Sequence, residues 1–162
     1  MIRPARPEDV ETIVELIKEL AAYERLSDQC NPDRDALAEH LFGAAPAAEV
    51  VLAEQDARVV GFALFFTSYS TFQTKPGIYL EDLFVRAGAR GRGVGARLLA
   101  HLAELAVARG AGRLEWSVLT WNEPAIGFYE RLGAERLLDW TRYRLGGASL
   151  RVLAEGKPFS SR

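Results

Sequence analysis

The sequence predicts one α/β domain over residues 1–162, built on a central mixed, mostly antiparallel sheet of about seven strands with about four helices on both faces. Two observations carry this. The first half combines amphipathic helices with a hairpin and the second repeats strand–helix units, giving the order β-α-α-β-β-β-α-β-α-β-β. In the middle, Tyr79-Leu80-Glu81-Asp82-Leu83-Phe84-Val85 runs through a short loop into Arg90-Gly91-Arg92-Gly93-Val94-Gly95 and a helix.

Ile2 to Ala5 is a short β-compatible start. Pro7-Glu8-Asp9 has the early Pro and acids of a helix first turn, and Ile13, Leu16, Ile17 and Leu20 then recur at helical spacing until Tyr23-Glu24. Asp33 to Phe42 is a weaker amphipathic helix stopped by Gly43. Glu49 to Glu54 and Arg58 to Tyr69 are apolar runs separated by Gln55-Asp56-Ala57, which suits an antiparallel hairpin. Ser70 to Gly77 reads as a turn-rich loop before the central strand. Leu98, Leu99, Leu102, Leu105 and Ala106 mark a helix closed by Gly110, and Leu114 to Leu119 is a strand. Asn122-Glu123-Pro124 starts a helix with a capping amide, an acid and an early Pro; Gly133 stops it. Trp140 to Leu145 and Ser149 to Ala154 read as a final hairpin around Gly146-Gly147.

Composition narrows the function. The chain is 49% hydrophobic and 26% charged, within the ordinary globular range. A net charge of −2 with no dominant Lys/Arg block gives no support to a nucleic-acid partner. Cys30 is the only cysteine, which excludes an intrachain disulfide and a cysteine-based metal cluster. Met1 to Ala5 holds no signal-peptide core, and no apolar run reaches the roughly 20 residues of a membrane span. A cytoplasmic protein without a membrane partner is the expectation. His40 and His101 are too isolated for a metal or a triad, so no metal is expected. Phe62, Phe65, Phe66, Tyr69 and Phe72 read as core and loop packing.

The glycine loop has three chemical readings. Gly91-x-Gly93-x-x-Ala96 satisfies a dinucleotide fingerprint with Glu115 downstream, but such a strand is apolar and joined tightly to its glycines. Here Glu81-Asp82 interrupt the strand, and Arg86-Ala87-Gly88-Ala89 separate it from the loop. A nucleotide P-loop fails because no Lys-Ser/Thr pair follows. The third reading is Arg-x-x-Gly-x-Gly, a pyrophosphate loop for an acyl-CoA. Any of these uses the exposed N–H groups and positive end of the following helix.

With the third reading, the sequence resembles the GNAT superfamily of N-acetyltransferases, and within it the spermidine/spermine (diamine) acetyltransferase group. The segments that carry the resemblance are Ile2-Arg3-Pro4-Ala5, Leu16-Ile17-Lys18-Glu19-Leu20-Ala21-Ala22-Tyr23-Glu24, Val60-Gly61-Phe62-Ala63, Tyr79 to Val85, the arginine–glycine loop, and Trp121-Asn122-Glu123-Pro124-Ala125-Ile126-Gly127-Phe128-Tyr129. The resemblance implies a GNAT fold and acetyl transfer from acetyl-CoA to a primary amine of a polyamine, diamine or lysine-like amino acid, by direct attack in a ternary complex. It also implies a homodimer involving the C-terminal strands. A non-catalytic acyl-CoA-binding module on the same fold is the alternative.

The resemblance assigns roles to individual residues. Backbone groups of Leu83, Phe84 and Val85 would hold the pantetheine arm like an added strand. The amides of Gly91, Arg92, Gly93, Val94, Gly95 and Ala96 would hold the pyrophosphate, with charge from Arg90 and Arg92. Asn122, Glu123, Pro124 and Ala125 would contact the cofactor, although Asn122 is equally a helix N-cap. Tyr129, on pattern alone a packed aromatic, would stand by the acyl sulfur and protonate the departing thiolate, uphill by only about 2 kcal/mol. Glu81 would help deprotonate the amine through water, a step costing about 4 kcal/mol. A carboxylate among apolar neighbours is desolvated, which makes it a better proton acceptor. Tyr23, Glu24, Glu81, Asp82, Trp121 and Asp139 would surround the acceptor, an acidic setting that attracts a cation.

Overall fold

In the computed structural model, which describes residues 1–156, contacts divide the chain into a first unit, Met1–Thr120, and a second beginning at Trp121. The first unit contains β1 (Ile2–Pro4), α1 (Val10–Tyr23), α2 (Arg34–Phe42), β2 (Glu49–Gln55), β3 (Arg58–Ser70), β4 (Lys75–Val85), α3 (Val94–Ala108) and β5 (Leu114–Trp116). The strands lie in chain order, antiparallel throughout except for the parallel pair β4–β5. The β2–β3 hairpin turns on Asp56 and Ala57, both with positive φ, as its tight loop requires.

Side-chain alternation sends two sets of residues to opposite faces of this sheet. Val50, Leu52, Phe62 and Phe84 pack with Ile13, Leu16 and Leu20 of α1 and Leu41 of α2 in one core cluster. Val51, Ala53, Ala63 and Phe65, on the other face, are also buried, as are Leu98, Leu99, Leu102 and Ala106 of α3. Arg109, just past α3, fixes the edge of that second layer. It pairs with Glu49 at 2.6 Å and lies 5.9 Å over the Phe65 ring.

The second unit holds α4 (Glu123–Arg131) and α5 (Gly147–Ala154). Asn122 caps α4 by accepting from the Ala125 N–H, Pro124 sits in its first turn, and Gly133 follows with φ +85°.

Three sequence expectations are corrected. The loop expected over 70–77 shrinks to four residues, because β3 and β4 pair out to Ser70 and Lys75. Gly77 serves close packing rather than a turn: a Cβ there would stand 2.6 Å from Ser68 Oγ. The expected strand over 114–119 ends at Trp116, where its partner β4 departs from regular pairing. The final hairpin is absent among the described residues. Residues 140–145 form no regular element, and 147–154 are helical, as suits the good helix formers Ala148, Leu150, Arg151, Leu153 and Ala154. The sheet therefore has five strands rather than about seven, and there are five α-helices rather than about four, among the described residues.

Candidate active site

The site is built around an irregularity in β4. Leu64 of β3 opposes Asp82, but the next residue, Phe65, opposes Leu80. Glu81 is thus an extra residue on β4, a β-bulge, and it is exposed. On the other side, β4 pairs with β5 only through Ile78, Tyr79 and Leu80. β5 ends with that pairing, at Trp116, and the β4 edge from Glu81 to Val85 beyond it has no strand partner among the described residues.

The polarity of that edge follows from the β3–β4 ladder. Arg86 N–H donates to Val60 C=O at 2.8 Å, which fixes the alternation of inward and outward backbone groups. Phe84 therefore turns its N–H and C=O to β3, while Leu83 and Val85 turn theirs toward the open edge. The Val85 carbonyl accepts from Arg90 Nε at 2.7 Å. Among the described residues, the free groups on this edge are the N–H and C=O of Leu83 and the N–H of Val85. Of the three residues expected to hold a ligand through the backbone, Phe84 instead contributes its side chain to the core.

After the edge comes the loop. Gly91 and Gly93 adopt φ of +73° and +74°, a left-handed geometry that glycine takes without strain. Gly93 is the N-cap of α3 and supplies no side chain to cap it. No acceptor meets the backbone N–H groups of residues 91–96 among the described residues. Such a row of unsatisfied donors at a helix N-terminus is a ready anion site.

The acids do not lie as expected. Asp82, rather than Glu81, is the desolvated carboxyl: burial first, then the charges of Glu81 and Glu24, push it up to about 6. Glu24 is likewise pushed up by burial. The bulge explains the exchange, since it swings Glu81 out of the ladder and leaves Asp82 on the α1 face with Phe84. Tyr23 ends α1 next to Glu24, and Arg90 ties this corner together, with its guanidinium 4.5 Å over the Tyr23 ring and 5.4 Å over the Phe84 ring. Arg90, although exposed, lies against these two rings, whereas Arg92, also exposed, borders with Arg58 and Arg86 an open depression of about 470 Å³ on the β3 side of the loop.

In the second unit, Asn122 is buried and Tyr129 half-buried on α4, its ring 5.2 Å from that of Phe128. Glu123 and Pro124 form the first turn of α4 with Ala125, and Trp121 and Asp139 are exposed. One pair escaped sequence reasoning. Tyr79 Oη and Ser117 Oγ share a hydrogen bond of 2.9 Å just past the end of β5. The sequence signal was present in the unbroken run Trp116-Ser117-Val118, where a lone hydroxyl follows a strand end.

A parallel strand pair that ends at Trp116, a bulge beside that end and a glycine loop opening a helix leave an open strand edge upstream of a row of unsatisfied N–H donors. The Acetyltransferase (GNAT) family model matches residues 13–134, and the chain belongs to this family of acetyltransferase enzymes. It is 39% identical over 165 residues to the thialysine N-epsilon-acetyltransferase of Bos taurus, covering 95% of this chain and 96% of that one. It is 34% identical to the L-ornithine N5-acetyltransferase of Arabidopsis thaliana, covering 94% and 86%. Among solved structures, an integron cassette protein from the mobile metagenome of V. cholerae superposes with a TM-score of 0.81 at 29% identity, covering 96% of this chain and 97% of that one. GNAT acetyltransferases generally use acetyl-CoA. Among the described residues, no helix is long and apolar enough to cross a membrane.

Proposed function

We propose that the protein transfers the acetyl group of acetyl-CoA to the primary amine of a small cationic substrate, a diamine or a lysine-like amino acid, by direct attack in a ternary complex. One observation carries this reading: the open β4 edge leads, through the short connection 86–90, to unsatisfied N–H groups at the α3 N-terminus. The residues fit the donor. Leu83 and Val85 offer backbone groups to an amide-bearing arm, and residues 91–96 offer N–H groups to a diphosphate. Acetyl-CoA, when bound, supplies an acyl group activated as a thioester.

The chain's own groups do the rest. Glu24, Glu81 and Asp82 are close enough for the first two to act electrostatically on the third, and this acidic cluster at the β4 edge favours a cationic acceptor. Glu81, exposed at the bulge, receives the proton that the ammonium must lose, through water. Tyr129 is assigned the acid that protonates the leaving thiolate; its assignment rests on the family resemblance. Asn122 to Ala125 is assigned to the cofactor on the same ground. The names of the relatives, thialysine and ornithine acetyltransferases, support amino-acid acceptors. The two units are proposed to act as one domain over 1–162. A homodimer is proposed too, supported by large apolar side chains exposed in the second unit, Leu138, Trp140 and Tyr143.

Acetyl-CoA-dependent thiol release with a panel of diamines, thialysine and ornithine tests the reading. Turnover is expected with at least one amine. Tight CoA binding without turnover of any of them would leave only a binding module. Glu81→Gln lowers kcat and shifts its pH profile, and Tyr129→Phe lowers kcat far more than CoA affinity; equal losses in both would remove the acid role.

A further inference from the structure

Arg58 and Arg92 differ from every other arginine of the first unit. The others are engaged, in ion pairs such as Arg3–Asp9 and Arg109–Glu49 or in bonds to carbonyls such as that from Arg97 to Arg92. The Arg58 and Arg92 guanidiniums have no partner among the described residues, and both border the same open depression of about 470 Å³. Arg86, also on its lining, already answers Glu19 at 2.7 Å and the Val59 carbonyl at 2.9 Å. Local structure sets where the two free cations start. Arg58 follows the two-residue turn Asp56-Ala57, whose φ values of 49° and 57° close the β2–β3 hairpin tightly. Arg92 lies in the glycine loop, where its carbonyl is held by Arg97 Nη1 at 3.1 Å. The depression therefore joins the hairpin tip to the entry of α3, on the β3 flank of β4, whereas the open edge is on the β5 flank.

Two uncommitted guanidiniums on one lining favour a particular ligand. A carboxylate answers one positive charge. A phosphate monoester carries roughly −1.5 to −2 at pH 7 and three acceptor oxygens, enough for both. Asp56 is the one carboxylate on the lining, so two free positive charges stand against one negative, and its oxygens can accept from sugar hydroxyls. Val59, Val60 and Ala89 add apolar surface, and the volume suits a small molecule better than a bare ion. We propose that this depression is a second phosphate site, in which Arg58 and Arg92 hold the phosphate monoester of a nucleoside. It is separate from the row of loop N–H groups assigned to a diphosphate. Two sources carry the required chemistry: the 3′-phosphate of a CoA seated on the loop with its nucleotide end turned to the β3 side, or a free nucleotide. The first rests on the acetyltransferase reading and deepens it; the second stands without it.

Calorimetric titration of the wild type and of Arg58→Ala, a change at an exposed side chain, tests this with CoA, 3′-dephospho-CoA and AMP. If the carrier supplies the phosphate, the wild type binds CoA about tenfold or more tighter than 3′-dephospho-CoA, as one charge-assisted hydrogen bond implies. Arg58→Ala then removes most of that ratio while keeping its affinity for 3′-dephospho-CoA, which also shows that the variant is folded. Arg58→Lys restores part of the ratio. If the ligand is a free nucleotide, both CoA forms bind alike and AMP binds to CoA-saturated protein, with an affinity that Arg58→Ala lowers about tenfold. A wild-type protein that neither distinguishes the two CoA forms nor binds AMP overturns the inference. So does an Arg58→Ala variant that responds to all three probes as the wild type does. An equal loss for CoA and 3′-dephospho-CoA, without AMP binding, overturns it as well, by reducing Arg58 to a diffuse charge. If neither CoA form binds, the acetyltransferase reading falls, and AMP binding to the free protein still decides the site.

Discussion

Arg90 lies over the ring of Tyr23, 4.5 Å from its centroid, while its Nε donates to the Val85 carbonyl. One side chain thus connects the glycine loop, the open edge of β4 and the last residue of α1. Arg90→Ala should cost about 1–2 kcal/mol of combined hydrogen-bond and cation–π stabilisation. Because it joins both sides of the site, it should raise KM for donor and amine alike, by about tenfold, with Arg90→Lys intermediate. Steady-state kinetics with each substrate varied checks this. A change in donor KM alone would show that the contact with Tyr23 has no bearing on the acceptor.

The loop glycines differ in what they do. At Gly91 a Cβ would meet nothing within 4 Å, and at Gly93 only Arg97 Nη1 would approach it, at 3.4 Å, so space is not the constraint. Their positive φ is, at about 1–2 kcal/mol for any other residue. Gly93→Ala should distort the row of N–H donors and weaken CoA binding about tenfold or more, whereas Gly88→Ala, which has open space and no left-handed backbone, should leave it unaltered. Calorimetric titration with CoA decides, and equal affinities in both variants would argue against an anion cradle.

Much of this arrangement was legible in the residues. Helical spacing of Ile13, Leu16 and Leu20 located α1, and the Asn-Glu-Pro start located α4, because both signals are local. The glycine loop was legible because φ above zero leaves a compositional mark. The bulge was not. It is a property of the pairing between β3 and β4, and a strand read alone assigns Leu80 and Asp82 to one face. From that single shift follow the exposure of Glu81, the desolvation of Asp82 and the early end of β5. The C-terminal helix was missed for a related reason: Ser149 to Ala154 satisfies strand and helix patterns about equally, and only a partner strand would have favoured the hairpin.

The exposed side chains of the second unit give the homodimer a test. Leu138, Trp140 and Tyr143 are 84%, 76% and 94% exposed, apolar side chains that association of two chains would cover. Light scattering should give the mass of two chains. Trp140→Glu combined with Tyr143→Glu should reduce it to one, while circular dichroism keeps its helical signature. A wild-type monomer at all concentrations would remove the dimer.

Asp82 should make both stability and binding depend on pH. Its carboxyl is held at about 6, above the ordinary 3.8, chiefly by burial and then by the charges of Glu81 and Glu24. Between those two values the folded chain keeps a proton that the unfolded chain has released. Stability is therefore full below about pH 4, falls as the pH rises toward about 6, and is flat above it, a loss on the order of 3 kcal/mol. Asp82→Asn should erase most of that slope and leave the protein more stable than wild type near about pH 7, which thermal unfolding across this range measures. A bound ammonium next to Asp82 favours its ionised form. At about pH 6, amine binding should thus release protons, seen as a dependence of the calorimetric enthalpy on buffer ionisation. The Asn variant should release fewer, and identical proton release from both proteins would place the titrating group elsewhere.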